Sequence, residues 1–198
     1  NYVTFCGTYV YSFDKDDLRR NMTCVPYKYD KDLNQEIDMG VTGMGVGKWS
    51  KLYMQSPLGA SSGSNTGINS VRMRFADVLL MYAEAANEYH GPDFEETLGG
   101  QQLGCYPILK LIRKRAGIDP GADGMYGLEK DMTQKQMRQA IQEERRLEFA
   151  FEGHRFFDVR RWMIAPQTES KTMHGIEITR ATDGTKTWKE FDVRTHVW

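Results

Sequence analysis

The sequence predicts a mainly α protein of helical hairpins stacked in series, with loop-rich segments and one small β-hairpin. Three observations point there. Residues 71–162 carry helical apolar spacing broken by caps and turns, in the order helix, loop, helix, loop, long helix, tight turn, helix. Two Gly/Ser-rich stretches lie ahead of them, and behind them two strand-like runs flank Asp183-Gly184, a strong turn dipeptide. Antiparallel helix pairs in series are the pattern of helical-repeat proteins, although strict sequence repetition is absent. The chain is thus read as one domain in three segments: 1–70 irregular with short strands, 71–163 the helical scaffold, and 164–198 a loop and β-hairpin.

Each element has a local reason. "NYVTFCGTYVYSF" is β-branched and aromatic, broken by Gly7, and favours one or two short strands; "DKDDLRR" after it reads as a polar turn. "DMGVTGMGVGKW" holds Gly40, Gly43, Gly45 and Gly47, but Lys48 precedes Trp49 and no GxGxxG spacing occurs, so it reads as a loop and not a phosphate cradle. "SPLGASSGSNTGIN" has no apolar period and reads as a connection.

The first long helix is "VRMRFADVLLMYAEAANEYHGP", stopped by Gly91-Pro92. Its expected buried face is Phe75, Val78, Leu79, Tyr82, Ala86 and Tyr89. Leu80 and Met81 lie off that stripe, so cover on more than one side is expected. Asp77, Glu84 and Glu88 form a polar strip, read as solvated or paired with arginine. The second helix, "YPILKLIRKRAG", has Pro107 in its first turn, Gly117 at its cap, and Ile108, Leu111, Ile112 and Arg115 on one face. Thr133 is the expected N-cap of "QKQMRQAIQEERRLEFAFEG", and "HRFFDVRRW" follows Gly153 as a short helix. Residues 176–180 and 188–193 are the expected strands of the closing hairpin.

With 26 basic and 27 acidic residues in 198, the net charge is −1, against a general nucleic-acid or anionic-membrane role. No apolar run is long enough to span a membrane, and no signal peptide opens the chain. The chain begins "NYVTF" without an initiator Met, which is read as a fragment or processed form. Cys6, Cys24 and Cys105 are odd in number and widely spaced, so they read as buried free thiols; nothing supports a zinc site or a Cys6–Cys24 bridge.

The long helix poses the central problem. At 100° per residue, Met137, Ala140, Ile141, Glu144, Leu147, Glu148 and Phe151 fall within a sector about 120° wide. Glu144 and Glu148 therefore sit inside the apolar stripe, where an unpaired carboxylate is costly. Guanidinium groups are the economical partners, and the candidates are Arg155, Arg160 and Arg161 after the turn and Arg74 and Arg115 before it. A catalytic pair for glycoside hydrolysis is the competing reading, but that chemistry needs an open cleft, not a stripe of Phe and Leu. His154 has no nucleophile in a recognisable motif beside it and reads as a packing or capping residue. "HRFFDVRRW" as an RNA stacking surface also yields to packing.

At these residues the sequence resembles the SusD/RagB family of surface-exposed nutrient-binding lipoproteins. "RFADVLLMYAEAANE" is similar to that family's R-[YF]-A-D-V-L-L-M helix, and "IRKRAG" to its R-x-R-A-G ending. "IQEERRLEFAFEGHRFFDVRRW" resembles its E-R-R-x-E-L-A-F-E-G-x-R-[WF]-x-D-L-x-R-W block nearly residue for residue. The resemblance implies tetratricopeptide-like helical hairpins, a SusD-like α/α superhelix, with a loop-rich ligand face. It also implies non-enzymatic binding of oligosaccharide or peptide nutrients at the outer-membrane surface, and delivery to a SusC-like TonB-dependent transporter. Membrane contact would run only through a lipid anchor absent from this chain. The family's lipidated Cys, first hairpins and closing P-I-P…Q-N-P-G stretch are also absent, so a longer protein with both ends lost is expected. Helix faces that would pack on that missing portion should be exposed and apolar.

Candidate ligand rings outside the helical scaffold are Trp49, Tyr53 and Trp188, with Tyr9 and Tyr11 behind them. No cofactor or metal is read from the sequence, and calcium is left open. An intracellular helical-repeat adaptor that binds peptides is the alternative reading.

Overall fold

A computed structural model of the chain describes residues 9, 12–25, 27–30, 35–38, 45–48, 71–183 and 186–197. In chain order the elements are α1 (Leu18–Thr23), β1 (Cys24–Val25), β2 (Tyr27–Asp30), β3 (Gln35–Asp38), β4 (Gly45–Val46), α2 (Phe75–His90), β5 (Glu95–Leu98) and β6 (Gln101–Gly104). They continue with α3 (Cys105–Arg115), α4 (Gln134–Glu148), α5 (His154–Arg161), α6 (Ala165–Thr168), β7 (Thr172–Arg180) and β8 (Lys186–Thr195). The fold is mainly helical, and each sheet among the described residues is an antiparallel pair. The chain divides into two compact units.

One unit comprises Asp14–Arg19 and Ser70–Ala150. Its core is Leu80, Ala83, Cys105, Ile108, Leu109, Ile112, Met137 and Ile141, where α2 packs on α3 and α4. The face that α2 buries is Ala76, Leu79, Leu80, Ala83, Ala86 and Asn87. That is roughly a quarter turn from the expected stripe at 100° per residue, and it corrects the reading: Phe75, Val78 and Tyr89 are exposed. Small side chains decided the face, because three alanines let neighbouring helices approach closely while the larger apolar residues stay outside. On α3, Leu111 is likewise exposed while Ile108, Leu109 and Ile112 are buried.

Local chemistry sets the boundaries. Thr133 and Gln136 form a reciprocal capping box at the start of α4, with Gln136 N donating to Thr133 Oγ1 and Thr133 N to Gln136 Oε1. Gln134 and Asn87 exchange two hydrogen bonds, of 2.7 and 3.0 Å, tying that start to the end of α2. The helix ends at Glu148, earlier than expected, so Phe151 leaves the stripe and lies at φ 61° outside it. Hairpin β5–β6 was not foreseen, because the EETL strand is exposed throughout and carries no alternating apolar pattern. Gly104, where β6 meets α3, has φ 147°, and a Cβ there would stand 2.2 Å from Phe94 O.

The "DKDDLRR" run is not a turn throughout: Leu18 opens α1, and its N–H donates to Ala116 O at 2.9 Å. Gly117 beyond it sits at φ 82°, where a Cβ would strike the Leu18 side chain. This contact fixes the start of α1 against the end of α3.

The other unit comprises Asn1–Phe13, Arg20–Asn69 and Phe151–Trp198. It holds the ladders β1–β4, β2–β3 and β7–β8 together with α5 and α6. Part of the expected glycine loop is therefore strand β4, opposite β1. The closing hairpin is longer than expected, running from Arg180↔Lys186 to Thr172↔Thr195 with an irregularity at Met173/His174. At Tyr9 and Ser12 the backbone forms 3₁₀ turns. The other expected strand positions before Phe13, and the 56–69 connection, lie outside the described residues.

Candidate functional site

The two inward glutamates of α4 form the buried centre of an ionic cluster within the first unit, whose rim at Arg115 is exposed. Glu144 is 0% exposed and Glu148 3%. Arg19 Nη1 donates to Glu144 Oε1 at 2.6 Å and to Glu148 Oε2 at 3.0 Å. The remainder of the Arg19 fork engages Asp17, through Nε to Oδ1 at 3.0 Å and Nη2 to Oδ2 at 2.7 Å. Arg113 Nε donates to Glu144 Oε2 at 2.9 Å, while its Nη1 reaches Tyr126 O at 3.0 Å. Glu148 takes further bonds from Arg74 Nη1 (2.8 Å) and Arg115 Nη2 (2.6 Å), and Arg74 Nη2 also reaches the Glu148 carbonyl at 3.0 Å.

Four guanidinium groups thus meet three carboxylates, which leaves one net positive charge. Burial alone would push the Glu148 carboxyl up, but the hydrogen bonds from Arg74 and Arg115 and the charges of Arg115 and Arg19 bring its pKa down to about 2. For Arg19 burial works against the charge, yet Asp17 and Glu144 more than offset it and hold the guanidinium more firmly protonated than usual. A second buried pair, Arg145 Nη1 to Asp77 Oδ1 at 2.8 Å, joins α4 to α2. The guanidinium groups of Arg145 and Arg74 both lie over the Phe149 ring, 5.0 and 4.8 Å from its centroid.

Such an arrangement holds α4 in register with the segments that carry Arg19, Arg74, Arg113 and Arg115. Each carboxylate oxygen of Glu144 and Glu148 already accepts a charged hydrogen bond, and neither residue opens to solvent. A general acid needs a carboxyl whose pKa is raised, and Glu148 is shifted the opposite way.

Of the predicted arginines, Arg74 and Arg115 lie on Glu148. Arg155 is corrected: its Nη2 bonds Glu169 Oε1 at 2.6 Å, a partner 14 residues on and inside its own unit. Arg161 bonds Asp158 at 2.8 Å, and Arg160 donates to Phe156 O while lying 3.3 Å from that ring's centroid. Arg19, Arg113 and Asp17 were missed. Arg113 carried a usable signal, since it lies one turn after buried Leu109 on α3. Arg19 carried none, standing in a polar run far from the helix it serves.

Among the ligand candidates, Trp49, Tyr53 and Tyr11 lie outside the described residues. Trp188 is on β8, paired with Ile178; its side chain is outside the described set. Tyr9 packs edge-on against Phe13 (5.3 Å) and Phe151 (6.3 Å). Cys24 and Cys105 are free, buried thiols, and Cys6 lies outside the described residues. Among the described residues no group of His, Cys, Asp and Glu is arranged to hold a metal ion, and no helix is long and apolar enough to cross a membrane.

The described geometry is similar to solved structures. A SusD homolog from Bacteroides thetaiotaomicron VPI-5482 superimposes with a TM-score of 0.58 at 25% identity, over 81% of this chain and 32% of that one. A SusD-like protein from Bacteroides fragilis NCTC 9343 gives 0.64 at 25% identity, over 91% and 33%. In sequence the chain is 32% identical to SusD-like protein P2 of Formosa agariphila over 111 residues, 56% of this chain and 20% of that protein. To SusD-like protein P25 of the same organism it is 29% identical over 152 residues, 77% and 24% respectively. The chain therefore spans about a quarter or less of these curated relatives and about a third of the solved ones. The family profile described as the SusD family matches residues 2–197, nearly end to end, and the chain belongs to that family.

Proposed function

We propose that the protein binds oligosaccharide or peptide nutrients without chemical change, at the outer-membrane surface, and delivers them to a SusC-like TonB-dependent transporter. The observation that carries this reading is the SusD-family match across residues 2–197. The state of the buried acids supports it: the carboxylates best placed to pose as a glycosidase pair are locked by arginines inside the helical frame. Binding then falls to aromatic residues outside the helical run of 71–163, with Trp49, Tyr53 and Trp188 as candidates for stacking on sugar faces. The outer-membrane location rests on a lipid anchor supplied outside these residues. No cofactor enters the reading.

Glycan-array screening followed by calorimetry on the full encoded polypeptide tests it, with product analysis run in parallel. The expected result is saturable binding, weakened by Trp188→Ala or Trp49→Ala, with the polysaccharide recovered intact. Turnover that disappears in Glu144→Gln would replace this reading with a hydrolase.

A further inference from the structure

One face of the closing hairpin β7–β8 presents an exposed ring among polar side chains that nothing engages. Three rungs share that face, Gly175↔Phe191, Glu177↔Lys189 and Thr179↔Thr187, because residues two apart on a strand point to the same side. Phe191 is 46% exposed, and Glu177, Thr179, Thr187 and Lys189 are exposed as well. Among the described residues Phe191 stacks on no other ring, and the four polar side chains enter no hydrogen bond or ion pair. On the same hairpin His174 is engaged twice, by Glu190 at 3.1 Å and Asp192 at 2.9 Å. An aromatic residue opposite a strand glycine helps to hold the ladder, which gives Phe191 a structural use. It gives none to an acid, an amine and two hydroxyls left idle beside the ring.

The chemistry of the face selects its occupant. A protein partner ordinarily buries about 800 Å² of each surface around an apolar core. The apolar side chains here are Phe191 and, exposed at the adjoining irregularity, Val193. A polyanion needs cations in excess, and Glu177 offsets Lys189. A neutral pyranose meets both demands of the face. Its C–H side stacks on a phenyl ring, while its hydroxyls accept from an ammonium and donate to a carboxylate. From Phe191 to Thr187 the face extends about 14 Å at 3.4 Å per residue, so a chain of sugars can lie along it.

Resting on the nutrient-binding reading above, we propose that this face is a subsite for a neutral oligosaccharide. Phe191 stacks on one sugar ring, Glu177 and Lys189 hold its hydroxyls, and Thr179 and Thr187 meet the next ring along.

The test is calorimetry on the full encoded polypeptide with neutral oligosaccharides of glucose, mannose, xylose and galactose in α- and β-linked series. Charged oligosaccharides and peptides are run beside them. The expected result is saturable binding of at least one neutral series, weakened at least tenfold by Phe191→Leu and about threefold by Glu177→Gln and by Lys189→Met. Phe191→Tyr, which keeps a stacking ring, should restore affinity to within about twofold of the parent. Thermal unfolding midpoints should be unchanged throughout. If Phe191→Leu proves destabilised, the Glu177 and Lys189 variants decide, and full affinity in both overturns the subsite. Neutral-glycan binding that Phe191→Leu leaves intact in a stable protein overturns the subsite and leaves the nutrient-binding reading standing. So does a parent that binds only charged glycans or peptides. A parent that binds no member of any set overturns both.

Discussion

Arg19 and Glu144 lie 125 residues apart in the chain and 2.6 Å apart in the fold. The bond joins a short N-terminal segment to the longest described helix but one, and the same nitrogen continues to Glu148. Removing one partner from a buried charge network leaves the others under-compensated, which costs about 3–5 kcal/mol. Arg19→Ala should therefore lower stability by that order in urea unfolding. Arg19→Lys should recover only part of it, because an ammonium cannot serve Asp17 and both glutamates with one planar fork. A loss below about 1 kcal/mol for Arg19→Ala would show that the cluster does not hold the helices.

Stability should also fall on acidification through Glu148. Unfolded, its pKa is about 4.3; folded, Arg74 and Arg115 bring it to about 2 despite burial. Because the folded value is the lower one, the contribution is complete above the unfolded pKa and is lost as pH falls through the folded value. A shift of that size corresponds to roughly 3 kcal/mol. Between pH 5 and pH 2 the unfolding free energy of the parent protein should decline by up to about 1.4 kcal/mol per pH unit more steeply than that of Glu148→Gln. Parallel pH profiles for the two proteins would remove Glu148 as a source of acid sensitivity.

How far this was legible in sequence follows the range of the forces involved. That Glu144 and Glu148 face inward could be read from the 100° period of a single helix, and burial then required cationic partners. Arg74 and Arg115 were legible because they stand in helical runs that had to pack nearby. Arg19 was not, since its segment is brought alongside α3 by contacts such as the backbone bond from Leu18 to Ala116, which no local pattern encodes. The buried face of α2 was misread for a related reason. Periodicity weighted by side-chain size favours Phe75 and Tyr89, whereas close helix approach selects Ala76 and Ala83 beside the expected Ala86. Arg155 was assigned by proximity in sequence to α4, and its nearest acid in the fold is Glu169.

Two ion pairs of similar geometry should differ sharply in worth. Arg138 meets Glu88 with two bonds, of 2.6 and 2.5 Å, but both side chains are about 40% exposed. Arg145 meets Asp77 at 2.8 Å with both side chains buried. Solvent screening limits the first pair to at most about 1 kcal/mol, while removing the Arg145 charge from buried Asp77 costs about 3–5 kcal/mol. Arg138→Ala and Arg145→Ala, compared by urea unfolding, should separate accordingly. Raising the salt concentration should erase the Arg138 effect and spare the other. Equal losses would mean that burial does not govern these pairs.

Cys24 and Cys105 should be chemically silent in the folded protein. Burial pushes the Cys24 thiol up to about 11, with only partial relief from Arg20. Burial does the same at Cys105, where the charge of Asp93 adds to it. Cys105 Sγ lies 3.5 Å from Ala83 O inside the core, so the sulfur is both protonated and enclosed. At pH 8 about one thiol in a thousand of this kind is ionised, and the thiolate is the reactive species. In a Cys6→Ser background, Ellman's reagent should give almost no colour over minutes under native conditions, and two equivalents once urea unfolds the chain. Labelling should then track unfolding: Arg19→Ala should speed release from Cys105 in proportion to its lost stability, if opening of the first unit is what exposes that sulfur. Rapid native labelling of either cysteine would place it at the surface and contradict the packing described for its unit.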